Sequence, residues 1–191
     1  ENTIRPILDR LEELGIEFKL YQLEESITQE ELEEVVRRMN NDNRIGGVII
    51  QLPLPKKFNR EGVLATLDSE KDVDALKEDS IIEAPTVGVV KAILEDLRLK
   101  IQDFRNVVVV GKGLLVGKPI ISWIQDEGLR IKDLGLKIAD SKTENLAEFL
   151  KEADLIITGV GKAGLIKTEW LKDGVVVIDF GFPADFENPK S

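Results

Sequence analysis

The second half of the chain alternates between short apolar runs and stretches with helical spacing. The run 106–110 (NVVVV) ends at Gly111 and is typical of a strand buried on both faces of a parallel sheet. A helical pattern over 116–127 follows the glycine. Further strands are predicted at 135–139, 154–158 and 175–180, with helices at 144–152 and 168–171. This order predicts right-handed crossovers and a doubly wound parallel sheet, with ligands at the carboxyl ends of the strands.

The first half of the chain has a less regular pattern. Apolar residues recur at helical spacing over 4–14, with Pro6 near the first turn and Gly15 just past the end. Thr28 and Glu31 form a capping-box pattern at the start of a helix through residue 39. Further helices are predicted at 60–67 and 85–97, and strands at 17–23 and 48–52. The polar stretch 100–106 is typical of a junction, so we predict an α/β protein of two domains, residues 1–98 and 99–191.

Composition narrows the class of function. A net charge of −10 with both signs interspersed leaves no basic stripe for nucleic acid and no polybasic patch for an acidic membrane. The 191 residues include no cysteine and no histidine, which excludes disulfides, thiolate zinc sites and an imidazole base, and no metal site is predicted. No apolar run approaches the roughly 18 residues that span a bilayer, and no signal-peptide pattern opens the sequence. We therefore expect a cytoplasmic protein.

Gln51 is a candidate functional residue in the first half. It ends the apolar run 47–50 and is followed by two prolines, in the order Gln-Leu-Pro-Leu-Pro. Because proline cannot donate to a sheet ladder, Gln51 is expected at the end of a strand, where open α/β sheets bind their ligands. An amide that merely caps the strand is the alternative interpretation of this segment alone.

A glycine-rich turn joins the strand at 106–110 to the following helix. Gly111 and Gly113 permit a tight turn and close approach of the backbone to a ligand, and Gly117 permits the helix to pack on the sheet. The amides at the start of that helix would face an anion. A packing turn without a ligand is the alternative.

Charged residues follow two further elements. Asp140, after the second predicted strand, could bind the hydroxyls of a ribose, whereas Lys112 and Lys142 favour a 2′-phosphate. In Lys-Asp-Val-Asp (71–74), extended backbone places Asp72 and Asp74 on the same side, where one carboxylate could grip a flat heterocycle through two parallel hydrogen bonds. Solvated loops are the alternative for both segments.

Taken in order, these segments resemble the methylenetetrahydrofolate dehydrogenase/cyclohydrolase family. The resemblance rests on QLPLP (51–55), KDVD (71–74), Thr86 at a helix start, VGKGLLVGKP (110–119), SKTENL (141–146), VGKAGLI (160–166) and VIDFG (177–181). It implies an N-terminal three-layer α/β domain beside a Rossmann-type domain, with folate between them and a homodimer formed through the cofactor domain. It also implies oxidation of methylenetetrahydrofolate by NAD or NADP, followed by addition of water to give 10-formyltetrahydrofolate for purine biosynthesis.

The resemblance also implies roles for single residues. Gln51 would orient the folate bridge and the family's lysine, and Asp74 would hold the pteridine ring, so these two are the candidate catalytic residues. Leu52 and Pro53 would line the pteridine pocket. The dinucleotide would be bound by Thr86, Gly111, Lys112, Gly113, Gly117, Ser141, Thr143 and Gly161.

The chain departs from the family in the helix at 4–14. The family's Tyr-x-x-x-Lys falls on Thr3 and Ile7, so the tyrosine that stacks on folate and the lysine that drives water addition are both replaced. We therefore expect dehydrogenase activity with a strongly reduced cyclohydrolase. One alternative is a pseudoenzyme or binding module that retains the folate or dinucleotide cleft. Another is a dehydrogenase of a related two-domain fold that acts on a different small acid or ring.

Overall fold

A computed structural model of the chain describes residues 4–128 and 134–187. Backbone proximity groups the chain into two compact units. The first unit comprises Glu1–Val73 with Lys77–Ile81, and the second unit comprises Asp74–Leu76 with Ile82–Ser191. The domain boundary between residues 98 and 99 that we expect from the sequence stays a prediction.

The described part of the first unit contains three helices, α1 (Arg5–Glu13), α2 (Gln29–Asn41) and α3 (Arg60–Thr66), as the hydrophobic spacing predicts. Helix α1 ends at Glu13, and two residues later Gly15 takes a φ of +67°. The Ile16 amide then donates to the Leu11 carbonyl at 2.9 Å.

Helix α2 begins with the predicted capping box. The Thr28 hydroxyl accepts from the Glu31 amide at 3.2 Å, and the Glu31 carboxylate accepts from the Thr28 amide at 2.9 Å. At the other end of α2, the Lys71 ammonium donates to the carbonyls of Met39, Asn40 and Asp42 at 3.0, 2.7 and 2.9 Å. Both ends of the helix therefore have side-chain partners for their backbone groups. The apolar face of α2 packs with α3 in a cluster of Leu32, Val36, Val48, Val63 and Leu67.

The two strands predicted in the first unit do not form. Segment 17–23 contains neither helix nor strand, and its apolar side chains Phe18 and Leu20 are 39% and 51% exposed. Segment 48–52 is reduced to a single parallel bridge between Val48 and Asp72. Alternating polarity predicts an extended backbone, but a strand also needs a neighbouring hydrogen-bond ladder. Within the described residues, nothing forms that ladder with segment 17–23.

The second unit is built on a parallel sheet of four strands in the order β2-β1-β3-β4. The strands are β1 (Asn106–Val110), β2 (Gly135–Ala139), β3 (Leu155–Thr158) and β4 (Val176–Asp179). The helices are α4 (Pro85–Asp96), α5 (Gly117–Gly128) and α6 (Leu146–Leu150), with short 3-10 helices at Ile101–Asp103 and Thr168–Trp170. The predicted α/β class and parallel sheet are confirmed.

Both faces of the sheet are covered. Val107 and Val109 of β1 pack with Ile120 and Ile124 of α5, whereas Val108 and Val110 belong to a second cluster with Leu150 of α6. Ile101 and Phe104, in the predicted junction, are buried in the first of these clusters. The strand order reverses between β1 and β3, which is where open parallel sheets bind ligands. No helix in the described residues is long and apolar enough to span a bilayer.

Candidate functional site

The loops that leave β1 and β3 lie side by side at the carboxyl edge of the sheet. Val110 and Thr158 are paired in the parallel register, so Gly111 and Gly159 both begin these loops. Gly111 has a φ of +97°, a conformation that strongly favours glycine. A Cβ on Gly117 would overlap the carbonyl oxygen of Gly111 and lie 2.9 Å from the Cα of Lys112. The turn 111–117 therefore closes tightly on itself and requires glycine at both ends.

The turn leads directly into α5. The Lys118 amide donates to the Gly113 carbonyl at 2.9 Å, and a Cβ on Gly113 would meet no atom within 4 Å. Gly113 is thus not required by packing, and the space beside it is open to a ligand. A tight glycine turn before a helix start fits a pyrophosphate, because backbone amides can approach its oxygens closely.

Lys112 and Asp140 form an ion pair between the ends of β1 and β2. The Lys112 ammonium lies 2.8 Å from a carboxylate oxygen of Asp140. The hydrogen bond from Lys112, and then the one from the Lys142 amide, lower the pKa of the Asp140 carboxyl below its usual value. The Asp140 amide donates to the Thr143 hydroxyl at 2.9 Å, while Ser141 is exposed. Lys112, Asp140 and Thr143 are therefore brought together at this edge.

Thr86 contacts the same turn from α4. Its hydroxyl donates to the Leu115 carbonyl at 2.9 Å, and it follows Pro85 in the first turn of the helix. The hydroxyl therefore links the start of α4 to the glycine turn. The contact between Thr86 and a nicotinamide ring stays a prediction.

The loop after β3 packs against the glycine turn. A Cβ on Gly159 would lie 2.6 Å from Val116, and one on Gly111 would lie 3.1 Å from the Val160 side chain. Gly161 has a φ of +72°, and a Cβ there would lie 3.2 Å from the Phe182 carbonyl oxygen. The loop after β3 is thus in contact with the loops after β1 and β4, whereas the approach of Gly161 to a dinucleotide stays a prediction.

Asp185 is a buried residue of this edge that the sequence analysis did not identify. Its carboxylate accepts hydrogen bonds at 2.6 Å from the Thr158 hydroxyl and from the amides of Val160 and Lys162. The partners lie 23 to 27 positions away along the chain, so no local pattern could have shown the interaction. Asp179 plays a shorter-range role, accepting from the amides of Gly181 and Phe186 at 2.7 and 2.8 Å.

The candidate folate residues of the first unit are consecutive in the chain, at positions 51–53. Gln51 is exposed, and its amide nitrogen donates to the Leu52 carbonyl at 2.8 Å. Leu52 is half-buried, Pro53 is exposed, and the peptide bond between them is cis. Ile7 lies within α1 with 38% of its surface exposed, whereas Thr3 lies outside the described residues.

The two aspartates of KDVD have different surroundings. Asp72 is fully buried, accepts from the Lys77 amide at 2.9 Å and, through its backbone carbonyl, from the Ser80 hydroxyl at 3.2 Å. It therefore organises its own loop. Asp74 is half-buried and groups with the second unit, next to Ala75 with a φ of +50°.

Comparison with known proteins identifies both halves of the chain. The family model of the tetrahydrofolate dehydrogenase/cyclohydrolase catalytic domain matches residues 4–74. The model of the NAD(P)-binding domain of the same family matches residues 84–190.

Full-length relatives give the same result. The bifunctional protein FolD of Listeria innocua is 33% identical over 189 residues, which cover 94% of this chain and 64% of that protein. The corresponding protein of Lactobacillus acidophilus is 34% identical over 199 residues, covering 95% of this chain and 68% of the relative. The chain thus spans about two thirds of the length of these relatives.

Solved structures share the backbone arrangement. The bifunctional FolD enzyme of Campylobacter jejuni superposes with a TM-score of 0.86 at 27% identity, over 94% of this chain and 65% of that chain. The methylenetetrahydrofolate dehydrogenase-cyclohydrolase of Trypanosoma brucei, crystallised with NADP cofactor and an inhibitor, gives a TM-score of 0.84 at 26% identity, over 96% and 69%.

Proposed function

Because this chain belongs to the tetrahydrofolate dehydrogenase/cyclohydrolase family, we propose that it oxidises 5,10-methylenetetrahydrofolate to 5,10-methenyltetrahydrofolate with NAD or NADP. The observation that carries the proposal is the succession of both family domains in one chain, with the glycine turn 111–117 at the switch point of the sheet. The Trypanosoma brucei relative, crystallised with NADP, supports a nicotinamide dinucleotide as the cofactor.

In this proposal the dinucleotide binds across the carboxyl edge of the second unit. The turn 111–117 holds the pyrophosphate through its amides, because its glycines leave no side chain between backbone and ligand. The dinucleotide-binding surface is completed by Gly113, Ser141, Thr143 and Gly161. Lys112 lies beside the ribose. Thr86 holds Leu115 and borders the nicotinamide. A bound nicotinamide would supply the acceptor for the hydride that leaves the methylene carbon of the folate.

The folate is bound and oriented by residues of the segments QLPLP and KDVD. The half-buried Asp74 carboxylate accepts two parallel hydrogen bonds from the pteridine ring, a strong arrangement for a charged acceptor. Leu52 and Pro53 supply apolar contact. Gln51 orients the folate bridge through its exposed amide. Hydride transfer mainly requires that the two rings be held in contact, so these positioning groups suffice for it.

The cyclohydrolase activity needs more than positioning. Adding water to the methenyl bridge requires a proton acceptor, and the family's lysine position is occupied by Ile7, an aliphatic side chain in α1. A general base commonly contributes about 10² to 10⁴-fold in rate. We therefore propose that the chain retains the dehydrogenase activity and has a cyclohydrolase slower by about that factor.

The remaining properties follow the family resemblance. We propose a cytoplasmic homodimer assembled through the second domain, acting in the one-carbon metabolism that supplies purine biosynthesis. Nucleic acid and membrane are not among the proposed partners, because the net charge of −10 is unsuited to both.

The test is to incubate the purified protein with 5,10-methylenetetrahydrofolate and either NAD or NADP while recording methenyl absorbance. We expect methenyltetrahydrofolate to form only when a dinucleotide is present. A protein that binds both ligands in calorimetry but forms no methenyl product would be a binding module or pseudoenzyme. Failure to bind either dinucleotide would contradict the assignment of the second unit.

A further inference from the structure

The carboxylate of Asp185 is fully buried at the carboxyl edge of the sheet. A buried carboxylate is costly unless hydrogen bonds replace its lost hydration. Its three donors are the Thr158 hydroxyl and the amides of Val160 and Lys162. All three distances are 2.6 Å. The side chain therefore fixes the backbone of the loop that leaves β3.

The backbone around Asp185 fixes the far end of the same loop. The Ile166 amide donates to the Asp185 carbonyl at 2.9 Å, and the Glu187 amide donates to the Ile166 carbonyl at 3.0 Å. Ile166 and Phe186 form a parallel bridge. The segment 185–187 thus holds residues 158–162 through a side chain and Ile166 through its backbone.

The loop that Asp185 holds is in contact with the glycine turn. Val160 lies against Gly111, where an added Cβ would be crowded, and Val116 lies against Gly159, where an added Cβ would overlap its side chain. Val160 nevertheless keeps 47% of its surface exposed on this edge. A change in the position of the loop would therefore move Val160 and Gly161 relative to the turn 111–117.

We propose that Asp185 is a positioning residue for dinucleotide binding. Its buried carboxylate sets the loop 159–164 so that Val160 and Gly161 face the dinucleotide beside the glycine turn. Asp185 itself does not touch the ligand, and its effect passes through the loop backbone. This inference rests on the proposed function, because it presupposes that a dinucleotide binds at this edge.

Two substitutions weaken the interaction by different amounts. Asp185→Asn keeps the shape but replaces one acceptor oxygen with an amide group that faces a backbone or hydroxyl donor. We expect the dissociation constant of the dinucleotide to rise by about tenfold. Thr158→Val removes only the hydroxyl donor and leaves both backbone hydrogen bonds, so we expect a rise of about threefold.

Asp154→Asn is the matched control. The Asp154 carboxylate also accepts from two backbone amides, those of Arg105 and Asn106, at 2.9 and 2.8 Å. These amides lie at the amino end of β1, at the edge opposite the glycine turn. Asp154 is less buried than Asp185 and also pairs with Lys172, but it too holds backbone amides at one edge of the same sheet. We expect Asp154→Asn to lower the melting temperature without changing dinucleotide affinity.

The experiment is calorimetric titration of NAD and NADP into the unaltered protein and the three variants, at a temperature where circular dichroism shows each to be folded. The Michaelis constant for methylenetetrahydrofolate is measured in parallel. The proposal is supported if Asp185→Asn and Thr158→Val bind the dinucleotide more weakly and Asp154→Asn binds it normally. The Michaelis constant for methylenetetrahydrofolate should change by less than twofold. If Asp185→Asn does not fold, the dinucleotide affinity of Thr158→Val alone tests the proposal.

Two results would overturn the inference. One is dinucleotide affinity in the folded Asp185 and Thr158 variants within twofold of the unaltered protein. The other is an equal loss in Asp154→Asn, which would mean that any damage to the sheet weakens binding. If the unaltered protein binds neither dinucleotide, the proposed function fails first, and this inference with it.

Discussion

Substituting alanine for Gly117 tests whether the glycine turn is built as the dinucleotide site. The added Cβ would lie 2.7 Å from the Gly111 carbonyl carbon and 2.9 Å from the Lys112 Cα. Carbon atoms prefer separations of about 3.5 Å or more, so the overlaps with these two carbons are about 0.8 and 0.6 Å, and the Gly111 carbonyl oxygen lies closer still. Both neighbours are backbone atoms, which cannot rotate away as a side chain can. Overpacking of this kind typically costs about 1–3 kcal/mol of folding free energy.

Because the overlap must be relieved by moving the turn, we also expect the dinucleotide dissociation constant of Gly117→Ala to rise at least about tenfold, or 1.4 kcal/mol. Gly113→Ala separates packing from ligand approach, because its Cβ meets nothing within 4 Å. It should leave the melting temperature unchanged and still weaken binding.

Gly88→Ala is the control. Gly88 lies within α4, and an added Cβ there would also meet no atom within 4 Å. The substitution should stabilise the protein by about 0.5–1 kcal/mol and leave binding unchanged. Melting curves and calorimetric titration with NAD and NADP measure both quantities. Equal dinucleotide affinity in Gly117→Ala and Gly88→Ala would show that the turn 111–117 does not hold the dinucleotide.

The remaining predictions concern charged groups. Asp140→Asn should move the NAD/NADP preference about tenfold toward NADP, because Lys112 loses its partner; an unchanged ratio of dissociation constants would contradict this. Asp74→Asn should weaken folate binding by about 1.5–3 kcal/mol and spare dinucleotide binding, as titration with each ligand will show. The hydrogen bond from Lys172 lowers the pKa of the Asp154 carboxyl. The stability that Asp154 contributes to the fold should therefore be present above about pH 4 and be lost as the pH falls through the lowered pKa. If Asp154→Asn and the unaltered protein lose equal stability in acid, this prediction is wrong.

The second unit could be predicted from sequence because its elements are encoded locally. In β1 the four residues after Asn106 are all valine, since both faces of the strand are buried, and Gly111 supplies the positive φ that ends it. The start of α2 is equally local, because the capping box places both partners within four residues. Such features need no knowledge of distant parts of the chain.

Other features depend on distant partners and could not be predicted. The alternation at 17–23 predicted a strand that does not form, because alternation alone cannot show whether a neighbouring strand exists. Thr86 binds the Leu115 carbonyl 29 positions away, and Asp185 binds a loop more than 20 positions earlier. In KDVD, the pattern grouped two aspartates, whereas burial separates them, with Asp72 structural and Asp74 half-buried.

The proposed function requires that this chain oxidise methylenetetrahydrofolate while Ile7, in place of the family's lysine, slows its cyclohydrolase. The most direct measurement compares two rates on one preparation: formation of methenyltetrahydrofolate with NAD or NADP, and its hydrolysis without them. We predict measurable oxidation and hydrolysis slower by about 10² to 10⁴-fold than a general base would give, with Ile7→Lys raising hydrolysis but not oxidation. Rapid hydrolysis by the unaltered protein would show that a group other than a lysine at position 7 drives water addition, and no oxidation with either dinucleotide would rule out the proposed dehydrogenase.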